Sequence, residues 1–520
     1  MTLFALLQHV VASQGQSSCV GHCGSWAENC YCDSTCEGDS DCCSDYEQVC
    51  GGPSPPSPTP PGPSPSDSCV GHCGSWAENC WCNTECESHQ NCCGDYEKVC
   101  SGPGPAPAPT NDLTKTLLDL KRYPHARCLD GTAGGYYVRT GAAADHIVVY
   151  FEGGGWCYDA SCTPTAAGTL ANCKQWATSG YGTSRTWQPT KSIGGQLSAD
   201  ATANPNFHNW TTIYVPNCDG TGLSSNVSTA KDGVHFGGAA ILDAVLAELI
   251  ATVKLADAAK IVLTGGSAGA NAVLWHVEEI RAAIEAAAAK VKAGNGGSGA
   301  SSPSVVALPD AGFFLDLPAI DGTDCWPNQM RSMASVTNSL PAMNHACLAR
   351  FPAEQWKCMF PQYYADLINT PTFLIQSLYD SSELWDTLKL NCCPAIDVPG
   401  VHCGSYPRCD AKSLALFQKL RTQHIVEWAQ LVNKTGNGAW APSCIEHTMT
   451  EDKWTNVDWA VPAKSGRTMS AAVAAWLAGN GEVWEDAVAF PGNAPCSSAD
   501  LDFAARARKR HRDRRQRQHK

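Results

Sequence analysis

Ser267 sits at the centre of Gly265-Gly266-Ser267-Ala268-Gly269, a Gly-x-Ser-x-Gly pattern. A β-branched apolar run, Ile261-Val262-Leu263-Thr264, leads into it. Val273, Val277, Ile280 and Ile284 follow at spacings of four, three and four, which is one face of a helix. Strand, sharp turn and helix together let flanking glycines hold a serine in a strained turn, its hydroxyl raised above a sheet as a nucleophile. A small-residue turn that merely caps a helix would share the five-residue pattern. The strand before it and the helix after it favour the nucleophile.

Such a serine needs a base and an acid to orient it. On a sheet of this kind they follow in chain order, acid then histidine, each on a loop after a strand. The segment Thr372–Gln376 reads as a strand and runs to Leu378-Tyr379-Asp380. Asp380 is the best-placed acid, with Glu383 and Asp386 as rivals one helical turn further on. His447, in Ser443-Cys444-Ile445-Glu446-His447-Thr448, follows a cysteine able to pin its loop, and His402 and His424 compete with it. Upstream, the predicted strand His146–Phe151 enters Glu152-Gly153-Gly154-Gly155-Trp156-Cys157. Glycines directly after a strand leave backbone N–H groups free, so Gly154, Gly155 and Ala268 are the candidate oxyanion donors. A tight turn held by a Cys157 disulfide is compatible with the same residues.

Positioning these groups requires alternating elements. Strands are expected at Tyr136–Val138, 146–151, Thr212–Val215, 261–264, Val305–Leu308 and 372–376, with helices over about 236–256 and 268–292. That alternation argues an α/β fold with a mainly parallel sheet covered on both faces, which the serine turn makes α/β-hydrolase-like. Gly294–Ser304 reads as a Gly/Ser-rich flexible insertion.

The chain from about Leu117 to Asn480 resembles the pectin acetylesterase family, which includes the Notum carboxylesterases. The shared stretches are Ala126-Arg127-Cys128-Leu129-Asp130-Gly131, Phe151 to Cys157, Asn204-Pro205-Asn206-Phe207-His208-Asn209-Trp210 and Cys218-Asp219-Gly220. The serine motif, Asp310-Ala311-Gly312-Phe313-Phe314-Leu315-Asp316 and Cys358-Met359-Phe360-Pro361-Gln362 complete the set. The resemblance implies a catalytic triad of Ser267, Asp380 and His447, which resolves the rivals. It also implies an oxyanion hole from the glycine-rich loop and Ala268, and no metal or organic cofactor. Gly266 stands where relatives often carry Cys or Ser, and Ala270 replaces a frequent glycine; neither is a catalytic group. The residues around Asp380 lean towards the Notum form. The implied substrates are O-acetyl esters on a cell-wall polysaccharide such as pectin or, alternatively, a lipid acyl group on a secreted protein. A non-catalytic adhesion protein on a hydrolase scaffold is the reading from another class.

Composition sets the compartment and the remaining architecture. Of 30 cysteines in 520 residues, sixteen fall within the first 100, a density that indicates disulfides formed in an oxidising environment. Zinc would need paired Cys-x2-Cys or His spacings, which these segments lack. The segment from Cys19 to Cys30 returns unchanged as Cys69 to Cys80. The first copy holds Cys19, Cys23, Cys30, Cys32, Cys36, Cys42, Cys43 and Cys50. The second holds Cys69, Cys73, Cys80, Cys82, Cys86, Cys92, Cys93 and Cys100. Eight cysteines in so few residues leave too little apolar surface for a core, so disulfides must hold each copy. With Cys42-Cys43-Ser44-Asp45-Tyr46 and its second-copy counterpart Cys92-Cys93-Gly94-Asp95-Tyr96, the copies resemble somatomedin B-like domains, which implies small knots that bind a protein or wall component. Tyr31 and Trp81, at the one aromatic position that varies, either contact that partner or cover the knot.

The expected organisation is a signal-peptide-like segment over 1–16, knots at 17–51 and 68–101, Pro-rich linkers at 52–67 and 102–110, the hydrolase domain at 111–500 and a basic tail at 501–520. The linkers favour extended polyproline-like spacers. The apolar start, Leu3 to Leu7 and Val10 to Ala12, lacks a preceding Lys or Arg, and no run reaches the roughly 18 apolar residues of a membrane span. Asn209, Asn226 and Asn433 head glycosylation triplets compatible with secretion to the outside or the cell wall. The tail from Arg506 carries nine Lys/Arg and one Asp, so the rest is more acidic than the net charge of −14. A solvated end or a polyanion-binding one fits that tail; nucleic acid fits poorly with an exported, otherwise acidic chain. The resemblance further implies several disulfides among the 14 later cysteines, with the adjacent pair Cys392-Cys393 among them.

Overall fold

The chain divides into two compact units, 1–108 and 109–520. The structure, a computed structural model, describes residues 111–294, 302–392, 408–490, 492, 493 and 496, with short pieces of the first hundred residues (26–27, 30–31, 76–77, 80–81, 92–93 and 95). In the first unit each repeat forms one antiparallel pair. β1 (Trp26–Ala27) pairs with β2 (Cys30–Tyr31), and β3 (Trp76–Ala77) pairs with β4 (Cys80–Trp81), in the same register. Cys80 bonds Cys93, and Cys92 is disulfide-bonded as well. The other knot cysteines' bonds, the faces shown by Tyr31 and Trp81, the apolar start, both linkers, the insertion over 295–301, His402 and the basic tail lie outside the described residues.

The second unit is built on a sheet of ten strands. In chain order these are β5 (Asp112–Leu117), β6 (Gly135–Arg139), β7 (Ala143–Phe151), β8 (Thr190–Ser192) and β9 (Trp210–Val215). A separate hairpin, β10 (Val227–Lys231) with β11 (Val234–Phe236), intervenes. Then come β12 (Lys260–Gly266), β13 (Ser304–Asp310), β14 (Phe373–Ile375), β15 (Gly438–Ala441) and β16 (Val483–Glu485). Their spatial order is β16-β15-β14-β13-β12-β7-β9-β6-β5-β8. All neighbours from β16 to β9 are parallel, and β6, β5 and β8 close the other edge antiparallel.

The central strands form because both of their faces are buried. Ile147, Val149, Phe151, Ile261 and Leu263 enter one core, whereas Val148, Tyr150 and Val262 enter another on the opposite side. Strand side chains alternate between faces, so a strand covered twice reads as an unbroken apolar run. The first core is covered by helices Gly238–Thr252, Ala268–Gly294, Cys325–Thr337 and Ala411–Val432, the second in part by helix Met469–Leu477. On Ala268–Gly294 the expected face of Val273, Val277, Ile280 and Ile284 is buried. Fully burying one such side chain stabilises the fold by about 1.5–3 kcal/mol.

Among the described residues, six disulfides tie this unit together: Cys128–Cys218, Cys157–Cys173, Cys162–Cys325, Cys347–Cys358, Cys392–Cys409 and Cys444–Cys496. Cys392 therefore bonds Cys409 and not its neighbour Cys393. The three-residue β14 has little ladder of its own, and its Phe373, fully buried, packs against Trp476 with ring centroids 5.4 Å apart. Phe373→Ala is expected to destabilise the unit by about 3–5 kcal/mol, read as a lowered denaturant midpoint against the unaltered protein.

Candidate functional site

Sheet register brings three strand ends together. Gly265 of β12 lies level with Phe151 of β7, and Gly266 lies level with Asp310 of β13. Because β7 is flanked by β9 on one side and β12 on the other, the strand order reverses here. Open parallel sheets form ligand crevices at the carboxyl end of such a point. Ser267 follows directly, with φ at +57°, a conformation that costs an L-residue about 1–3 kcal/mol. Its N–H donates to the Asp310 carbonyl at 2.9 Å, and helix Ala268–Gly294 starts at the next residue.

The flanking glycines are required by contact as well as by torsion. A Cβ on Gly269 would lie 2.0 Å from the Phe151 carbonyl oxygen, and one on Gly265 would lie 2.7 Å from Gly269 backbone. One on Gly153 would fall 2.5 Å from the Gly266 carbonyl oxygen and 3.0 Å from the Ser267 Cβ. At Gly266 the space of a side chain is taken by the Tyr150 hydroxyl, 2.7 Å from where a Cβ would stand. The glycine-rich loop thus lies directly against the serine. Gly154 and Gly155 adopt φ of +114° and +85°. The Asn217 side chain holds this loop by its carbonyls, donating to those of Gly153 and Gly155 at 3.0 and 3.4 Å. Ala268, fully buried, occupies the first helical turn, whose N–H groups have no intrahelical acceptor.

His447 arrives on the loop after β15. Its Nε2 lies 2.7 Å from Ser267 Oγ, and its Nδ1 lies 2.9 Å from each carboxylate oxygen of Asp380. An Nδ1–H donated to Asp380 leaves Nε2 to accept the serine proton. Asp380 is fully buried and is itself oriented: Oδ1 accepts the N–H groups of Ser382 and Glu383 at 2.8 and 3.2 Å, and Oδ2 accepts from the Gln376 amide at 3.0 Å. The His447 loop is fastened by Cys444–Cys496, by Ser443 N–H to Asp486 at 2.8 Å and by the Ser377 hydroxyl donating to the Cys444 carbonyl.

The rival residues have other work. Glu383 and His424 are fully buried and bond each other at 2.7 Å, while the second Glu383 oxygen accepts the Leu315 N–H at 2.9 Å. Asp386 accepts the Ser382 hydroxyl at 2.9 Å. Burial opposes the charged form of His447, but Asp380, Asp310 and Asp386 outweigh it and hold its pKa above the usual 6.5. Gln376, Gly153 and Asp310 are members of the site that motif reading did not single out. The strand-end position of Asp310 and the glycine run containing Gly153 were the available signals; nothing near Gln376 marks it. Phe314, with its ring centroid 5.9 Å from that of His447, joins Trp156 and Trp326 in an aromatic wall beside the histidine. The arrangement can activate a hydroxyl and hold an oxyanion opposite it.

The pectinacetylesterase family profile matches residues 107–497, and the somatomedin B domain profile matches 17–53 and 67–103. Pectin acetylesterase 5 of Arabidopsis thaliana is 27% identical over 373 residues, covering 70% of this chain and 81% of that protein. Palmitoleoyl-protein carboxylesterase NOTUM of Schmidtea mediterranea is 27% identical over 356 residues, covering 65% of this chain and 59% of its own length. The solved Wnt deacylase Notum from Drosophila shares the fold with a TM-score of 0.57 at 22% identity, over 73% of this chain and 97% of that one.

Three outcomes are expected. Gly269→Ala forces its Cβ into the Phe151 carbonyl, so soluble variant protein should lose at least ~100-fold in kcat/KM for an ester. Because a histidine base works only when deprotonated, activity should fall as pH drops through the raised His447 pKa. The acid limb of kcat/KM against pH should then have its midpoint above 6.5, and Asp380→Asn should lower kcat by about 10³–10⁴.

Proposed function

The chain belongs to the pectinacetylesterase family and is a carboxylic ester hydrolase, and from that footing we propose an exported serine esterase that removes O-acetyl groups from a cell-wall polysaccharide such as pectin. The observation that carries this reading is the relay of 2.7 and 2.9 Å from Ser267 through His447 to Asp380. His447 Nε2 takes the Ser267 proton as Oγ bonds to the ester carbonyl carbon. Asp380 keeps the imidazole tautomer and stabilises its positive charge. The N–H groups of Gly154, Gly155 and Ala268 face the oxyanion, and losing one such donor costs about 3 kcal/mol in barrier. The intermediate collapses by expelling the sugar hydroxyl, which receives the proton from His447. Water, deprotonated by the same histidine, then releases acetate and restores Ser267.

The size of the acyl group is argued from the aromatic wall. Trp156, Phe314 and Trp326 pack on one another with centroids 5.2–5.9 Å apart and are each no more than 5% exposed. An acetyl methyl fits against such a wall, whereas a long chain would have to part the rings. The apolar character of the same wall favours the second reading, a Notum-like deacylase acting on a lipidated secreted protein. The dense disulfides support export, and among the described residues no helix is long and apolar enough to cross a membrane. The somatomedin B domains would then hold the enzyme to a protein or wall component, and the basic tail to a polyanion.

The test is hydrolysis of p-nitrophenyl acetate, octanoate and palmitate by purified protein, with Ser267→Ala as control. Preference for acetate, lost in the variant, is the expected result. A preference for palmitate would move the assignment to lipid removal, and absence of turnover in oxidised, folded protein would leave the adhesion reading.

A further inference from the structure

Asp310 ends β13, level with Gly266, and is fully buried. It makes two sets of contacts that the relay above does not include. Its backbone carbonyl accepts the N–H of Ser267 at 2.9 Å. Its side-chain Oδ2 accepts three hydrogen bonds of 2.8 Å, from Met449 N–H, Thr450 N–H and the Thr450 hydroxyl. Those residues lie two and three positions after His447. One residue therefore grips the nucleophile's backbone with its main chain and the base's loop with its side chain.

The other carboxylate oxygen, Oδ1, is buried without a hydrogen-bond partner. Pinning a loop needs one acceptor oxygen, which a neutral amide would supply without the cost of burying a charge. Loop anchoring thus accounts for the carbonyl-like half of Asp310 and leaves its charge unexplained. The nearby group that gains from that charge is His447, whose protonated form Asp310 stabilises.

We propose that Asp310 is a positioning residue of the ester-hydrolysing site, clamping the His447 loop to the Ser267 turn while its charge favours the imidazolium formed as Ser267 attacks. This rests on Ser267 and His447 acting as nucleophile and base. Burial pushes the Asp310 pKa up to about 7, so its charge is present above neutrality and lost below it. The remaining groups that face the pair are Asp380 and Asp386 on the acid loop, Glu446 beside His447, and Tyr150, whose hydroxyl donates to Glu451 at 2.8 Å. None of them is itself altered when only residue 310 is changed.

Asp310→Asn and Asp310→Ala are compared with the unaltered full-length protein on p-nitrophenyl acetate, with Ser267→Ala in parallel. Asp310→Asn keeps an acceptor and removes the charge. It should lower kcat by about tenfold with KM within about twofold, and move the acid limb of the pH profile to lower pH by about one unit. Asp310→Ala also frees the loop and should lower kcat by about 100-fold. Should the alanine variant fail to fold, the pH profile of the asparagine variant decides alone. Ser267-dependent activity with an unshifted limb in Asp310→Asn overturns this proposal and leaves the nucleophile assignment standing. Equal rates for the unaltered protein and Ser267→Ala would overturn the nucleophile assignment, and this proposal with it.

Discussion

Backbone meets backbone beneath Ser267 at distances that exclude any side chain. The carbonyl of Phe151, the first turn of helix Ala268–Gly294 and the Gly153 loop converge there, and Gly265, Gly269 and Gly153 are what make the convergence sterically allowed. The positive φ of Ser267 is held because its surroundings over-determine it, with the Asp310 carbonyl on its N–H and a buried helix pulling on the following residue. Shifting β7 against β12 by one residue would separate the loop from the serine and reverse the faces of Val148, Val149 and Tyr150. Sheet register and site geometry are therefore one constraint.

The carboxylates buried around this point include those of Asp310, Asp380 and Glu383. Each is matched to a different donor set: loop N–H groups and a hydroxyl for Asp310, an imidazole with an amide and turn N–H groups for Asp380, and a second imidazole with the Leu315 N–H for Glu383. Buried carboxylates with fixed partners are rigid because losing any partner exposes a desolvation penalty. The His424–Glu383 pair braces the acid turn, with the Glu383 N–H on Asp380, so a histidine that resembles a catalytic base in sequence serves as scaffold.

Where one strand carried both faces of the core, the sequence was easy to read. The runs at 146–151, 261–264 and 305–308 became β7, β12 and β13, and the turn between strand and helix identified Ser267. Of the short elements, β14 was read within 372–376, whereas β15 and β16 were not. β15 is Gly-Ala-Trp-Ala and β16 is Val-Trp-Glu, each ordered by its neighbour more than by its composition. Helix Ala411–Val432 was hidden because its buried stripe, Phe417, Leu420, His424, Trp428 and Leu431, includes a histidine whose partner lies 41 residues away. Asp380 and His447 became distinguishable from their rivals through family resemblance, because local pattern says nothing about which loops meet. The second role of Asp310 was invisible for the same reason: its donors stand 139 and 140 residues downstream.

The order of the parts along the chain also sets a biosynthetic schedule. Ser267 is made first, Asp380 more than a hundred residues later and His447 after that; the cysteine that tethers the His447 loop, Cys496, comes later still. Domains emerge from synthesis N-terminus first, so a partly made chain carries the proposed nucleophile without the proposed base. The loop that carries His447 gains its covalent tether only when an external oxidant joins Cys444 to Cys496. On the roles proposed above, a reduced chain would keep its serine turn while the loop of its base lacked that tether.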